Sequence, residues 1–145
     1  MIVRMSTVDS ETEKPGTFPQ VMRVRSHTLH ADLMAPDSTD SAPGPHDYFD
    51  AALAACKTLT ATWYARRNKL ELERVEAHVE RDTSEERKGI YRLKVRLAYH
   101  GNLSDEQRAK IHDAVSRCPI HKLMTTTEVV IETAPLDAPL DVPAG

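Results

Sequence analysis

Between residues 70 and 100 apolar and polar side chains alternate. Leu72, Val75, Ala77 and Val79 are separated by charged residues. Tyr91, Leu93, Val95, Leu97 and Tyr99 are interleaved with Arg92, Lys94, Arg96, Ala98 and His100. A period of two puts successive side chains on opposite faces, so both runs read as half-buried strands. Residues 82–89 between them are charged and close on Gly89, which makes them a turn. The two strands therefore pair antiparallel with one face in water. The alternation slips near Glu73 and Arg74, which predicts a shift of register there.

Upstream the period changes to three and four. Phe49, Leu53, Cys56, Leu59 or Thr60, and Trp63 share one face of a helix that ends near residues 66–68. Its start carries turn chemistry: Gly44, then Pro45 in the first turn, where a missing N–H costs nothing, then Asp47 and Asp50 near the positive end of the dipole. This pattern aims Cys56 at the core or at a partner subunit. Alanines at 51, 52, 54 and 55 let another element approach closely. A second helix opens with a capping box, Ser104 and Gln107, and presents Ile111, Ala114 or Val115, and Cys118. It stops at Cys118, because Pro119 disfavours helical geometry in the preceding residue, and a short helix restarts over 119–126.

The remaining segments are weaker in pattern. Residues 6–16 read as a loose leader, 18–25 as a strand, 26–34 as its hairpin partner and 34–44 as a loop. Residues 128–133, with Val129, Val130 and Ile131, read as a final strand. The chain is thus expected to be α+β, with a flexible leader (1–17), one domain (18–133) and a Pro-rich tail (134–145).

Composition narrows the function. The chain has 145 residues, enough for one domain with a real core, and a net charge of −3. That balance, with no basic stripe, points away from nucleic acid. No run of about 18 apolar residues marks a membrane helix, and residues 1–14 lack a signal-peptide core. A cytoplasmic protein is expected. The seven histidines form no zinc-like spacing. His27 and His30 fall on opposite faces of a strand, and Cys118 with His121 has no second pair to join, so neither metal nor cofactor is expected.

Two cysteines in a cytoplasmic chain of this size read as reduced or redox-active thiols rather than as a structural staple. If both helix faces pack into one core, the sulfurs of Cys56 and Cys118 meet. One thiolate can then be oxidised to a sulfenic acid and the other can condense with it. On local physics Cys118 reads as the more acidic thiol, at the start of a short helix with Lys122 four residues on.

Several blocks occur in order: Gly44-Pro45-His46-Asp47, then Ala51-Ala52-Leu53-Ala54-Ala55-Cys56, Trp63-Tyr64-Ala65-Arg66-Arg67, Gly101-Asn102-Leu103-Ser104, and Cys118-Pro119-Ile120-His121-Lys122. Over residues 21–133 this order resembles the OsmC/organic hydroperoxide resistance family. The resemblance implies an α+β, OsmC-like fold in which two Cys-bearing helices pack on antiparallel sheet. It implies an intertwined homodimer with active sites at the interface. It implies a thiol peroxidase that reduces organic hydroperoxides without metal or haem. Cys56 would attack the peroxide, Cys118 would resolve it to a disulfide, and a dithiol such as a lipoyl group would restore the enzyme.

The chain departs from that pattern at one place. The family's Glu, ten residues before the first Cys, is His46 here, with Asp47 beside it. The family's partner Arg has no matched motif, although Arg23 and Arg25 lie in the right region. These four residues are the candidates to support the thiolate and the peroxide. Ten residues of straight helix span about 15 Å, so His46 serves Cys56 only across a bend or in the other subunit's site. Phe49 and Trp63 are candidate walls of an apolar pocket. The alternative is a non-catalytic binding or redox-sensing protein of the same fold, holding a small apolar ligand at the dimer interface.

Overall fold

A computed structural model describes residues 6–140, which fall into two compact units, 6–47 with 131–140, and 48–130. The first unit holds a three-stranded antiparallel sheet: β1 (Val8–Thr12), β2 (Gln20–Val24) and β3 (His27–Ala31), in that order. The β2–β3 hairpin is the one predicted for residues 18–34, with Val24 opposite His27 and Arg25 in the turn at φ 55°. β1 departs from the sequence reading, which gives 6–16 no regular structure. The stretch has no alternation to announce it. It is held by pairing with β2, from Val8 opposite Val24 to Thr12 opposite Gln20. After β3 the carboxylate of Asp32 gathers the loop, accepting from the amide of Leu33 at 2.7 Å and from the amide and hydroxyl of Ser41 at 2.8 and 2.7 Å.

Helix α1 (Pro45–Arg67) opens as expected, with Pro45 first and the Asp47 carboxylate accepting from the Gly44 amide at 2.9 Å. In the second unit β4 (Leu72–Asp82) and β5 (Arg92–Gly101) form the predicted antiparallel pair, with the register shift between Leu72 and Arg74. Their connection contains one 3₁₀ turn and closes on Gly89 at φ 86°. Helix α2 (Asp105–Val115) has its capping box formed in both directions between Ser104 and Gln107. Helix α3 (Pro119–Thr125) begins with the proline. Ala61 of α1 packs with Leu103, Ile111 and Val115 as the core, against Tyr64, Leu70, Leu72, Val75, Leu97 and Tyr99.

Three expectations are corrected here. Residues 128–133 are not a strand; Val129 and Val130 are exposed and pair with no strand among the described residues. α2 ends at Val115, so Cys118 is not on its face but is the cap residue of α3, in extended geometry. The buried face of α1 is also rotated from the apolar stripe. It consists of Asp50, Leu53, Lys57, Ala61 and Ala65, while Leu59 and Trp63 are 69% and 61% exposed. Polar partners explain the rotation, because Asp50 and Lys57 both find hydrogen-bonding groups inside the unit. No helix of the described residues is long and apolar enough to cross a membrane.

Candidate thiol site

Cys56 lies mid-helix on α1, and Cys118 begins α3. Pro119 forces the chain at Cys118 out of helical geometry, and the new helix then aims its first amides back along the entry. The amide of Ile120 donates to Cys56 Sγ at 3.5 Å. Thr60 Oγ1 is 4.0 Å from the same sulfur, one turn further along α1. Cys118 is fully buried, Cys56 is half-buried, and both are free thiols. The Ile120 amide that Cys56 accepts from lies two residues beyond Cys118, so the start of α3 brings the two thiols into one region.

Burial pushes the Cys118 thiol up from its ordinary value. Cys56 adds to the rise, while the His121 amide and the Lys57 ammonium oppose it. This reverses the expectation that Cys118 is an acidified thiol, because desolvation outweighs the polar groups around it. The cation beside it is also not Lys122. Lys57 Nζ lies 3.8 Å from Cys118 Sγ, and Lys122 is exposed.

Two openings flank this region. A groove of about 870 Å³ runs past Cys56, Leu59, Trp63, Arg117 and Ile120. A cleft of about 460 Å³ on the other side of α1 is lined by Phe49, Leu53, Lys57, Tyr91, His112 and His121, with aliphatic side chains of β5. Trp63 therefore shares the Cys56 groove, with Arg67 stacked on its ring at 5.3 Å. Phe49 does not line that groove; it meets Tyr91 edge-on at 5.6 Å and lines the cleft.

The other candidates lie in the first unit, whereas both cysteines lie in the second. Arg23 sits on β2 opposite Asp9 and Thr28, Arg25 is in the hairpin turn, and Asp47 holds the start of α1. α1 is unbroken from Pro45 to Arg67, so no bend shortens the helical distance from His46 to Cys56. Asp50, read from sequence as a helix-start charge, is instead a buried acceptor for Arg81 and Tyr91.

Lys57 is the residue that sequence reasoning missed. A signal existed: it follows Leu53 by four and precedes Ala61 by four, which puts a lysine in the middle of an inward line. The apolar stripe next to it was the stronger pattern and drew the eye.

The α+β chain thus carries one half-buried thiol on α1 and one buried thiol at the start of α3. The chain belongs to the OsmC-like protein family, whose model matches residues 38–134. Among solved structures it is similar to an OsmC-like protein from Mycoplasma pneumoniae, with 18% identity and a TM-score of 0.69 over 86% of this chain and 90% of that one. It is also similar to the organic hydroperoxide resistance protein OhrB of Bacillus subtilis, with 19% identity and a TM-score of 0.57 over 85% and 92%. A third is an organic hydroperoxide resistance protein from Elizabethkingia anophelis, with 16% identity and a TM-score of 0.61 over 86% and 91%. No curated protein matches the chain.

Proposed function

We propose that this protein is a cysteine-based peroxidase that reduces organic hydroperoxides, with Cys56 attacking and Cys118 resolving. The observation that carries this reading is the position of Cys56. Its sulfur opens on an apolar groove, accepts from the Ile120 amide, and neighbours a buried second thiol. In the first step Cys56 Sγ attacks the distal peroxide oxygen and the O–O bond breaks. The alcohol leaves with a proton and Cys56 becomes a sulfenic acid. In the second step Cys118 Sγ displaces that oxygen as water and a disulfide forms. A dithiol reductant, such as a lipoyl group, returns both thiols by exchange.

The working form is a homodimer in the cytoplasm. Exposed Leu59 and Trp63 on α1, with Val130 at 76% exposure, support an apolar interface. In a dimer His46, Asp47, Arg23 and Arg25 could serve the second subunit's thiolate, which agrees with the unbroken α1. A second reading is that the fold holds a small apolar ligand and the cysteines only sense oxidation. His46 in place of the family Glu favours it, because an imidazole does not supply a carboxylate's negative charge.

The two readings separate on a thiol count before and after one equivalent of cumene hydroperoxide. The peroxidase loses both thiols to an intramolecular disulfide. Its Cys118→Ser variant stops at a sulfenic acid, and Cys56→Ser does not react. A wild-type protein that keeps both thiols for hours leaves the binding reading.

A further inference from the structure

Lys57 is 4% exposed, and its ammonium has three donors and no acceptor. Nζ lies 3.0 Å from the Val115 carbonyl, 3.8 Å from Cys118 Sγ and 3.3 Å from His121 Nδ1. Three donors meet three acceptors. With Lys57 as an ammonium, Nδ1 of His121 must accept, so the ring proton sits on Nε2. Cys118 is 0% exposed and has no direct contact with solvent, whereas His121 is exposed and lines the cleft. A continuous path thus runs from the buried sulfur through Nζ to an imidazole that water can reach.

We propose that Lys57 and His121 form a proton relay that takes the thiol proton from Cys118 when it attacks Cys56. The inference rests on the reading of Cys56 and Cys118 as a redox pair. As Cys118 Sγ bonds to the Cys56 sulfur, the S–O bond of the sulfenic acid breaks. Nζ first gives a proton to Nδ1, the neutral amine left behind takes the thiol proton from Cys118, and Lys57 is an ammonium again at the end. The imidazolium releases its Nε2 proton to the cleft, and the departing hydroxide takes up a proton to become water. The titratable groups around the path are Cys56 and Lys57 from α1 and His121 from α3. His112 and Tyr91 line the same cleft, and Asp50 is engaged by Arg81 and Tyr91.

The relay is tested without hydroperoxide. In full-length protein, dithiobis(nitrobenzoate) converts Cys56 to a mixed disulfide and releases one coloured thiolate. Cys118 then attacks the Cys56 sulfur and releases a second, followed by stopped flow. Lys57→Met and His121→Gln are expected to slow this second release by about a hundredfold. His121→Gln should also abolish its histidine-type pH dependence, and added imidazole should restore part of the rate in His121→Ala. Lys122→Met, which removes an exposed charge from the same helix, should leave the second release unchanged. His121 is exposed, so its variants probe the relay without opening the core. A His121→Gln protein with wild-type rate and pH profile overturns the relay, as does a wild type with no second release. A protein inert to cumene hydroperoxide whose second release depends on Lys57 and His121 loses the peroxidase reading and keeps this one.

Discussion

Arg81 Nε donates to Asp50 Oδ2 at 2.6 Å and joins β4 to α1 across 31 residues of sequence. Tyr91 donates to the other carboxylate oxygen at 2.7 Å, so one buried acid ties a helix to β4 and to the residue that leads into β5. Asp50→Asn removes the negative charge from a partly buried, hydrogen-bonded ion pair. The expected loss is about 2–3 kcal/mol of unfolding free energy, read from urea denaturation at neutral pH. The phenol of Tyr91, pushed up to about 12 by burial and then by the Asp50 contact, should titrate at lower pH in the same variant.

Asp32 provides a pH signature. The hydroxyl of Ser38, then the amide and hydroxyl of Ser41, hold its carboxyl well below the usual carboxylate range. A depressed folded-state value means the contribution is present above the unfolded value of about 3.9 and is lost as pH falls through the folded one. Asp32→Asn should therefore lower the melting temperature most at neutral pH. The gap from wild type should narrow steadily below about pH 4. A gap independent of pH would contradict the assignment.

Gly101 closes β5 at φ 146°, and a Cβ added there would stand 2.0 Å from the carbonyl oxygen of Glu71 and 3.0 Å from the amide of Glu73. Both obstacles are backbone, so neither can rotate away. Gly101→Ala is expected to cost at least about 3 kcal/mol by the same denaturation measurement. It should do so through the strand end beside the register shift.

The exposed stripe on α1 predicts the assembly. With Leu59→Glu and Trp63→Glu combined, a dimer held by this face becomes a monomer in sedimentation velocity, because two charges would be desolvated at the contact. A wild-type chain that sediments as a monomer removes the dimer from the proposal.

The sequence by itself determined the elements whose periodicity matches their burial. The alternation over 72–82 and 92–101 gave the hairpin and its slip near Arg74, because a half-buried strand must alternate. Ser104 with Gln107, and Pro119, gave two helix starts, because capping is local chemistry. The cysteine motifs named the family. Tertiary structure alone decided which face of α1 turns inward. A line carrying Asp50 and Lys57 is buried only because Arg81, Tyr91, Val115 and His121 arrive from distant sequence to satisfy it. It decided that β1 is a strand, since its order comes from pairing with β2 and not from its own pattern. It also decided that Cys118 is a buried thiol whose pKa is pushed up. Desolvation depends on what packs around a sulfur, and that is set by elements far from Cys118 along the chain.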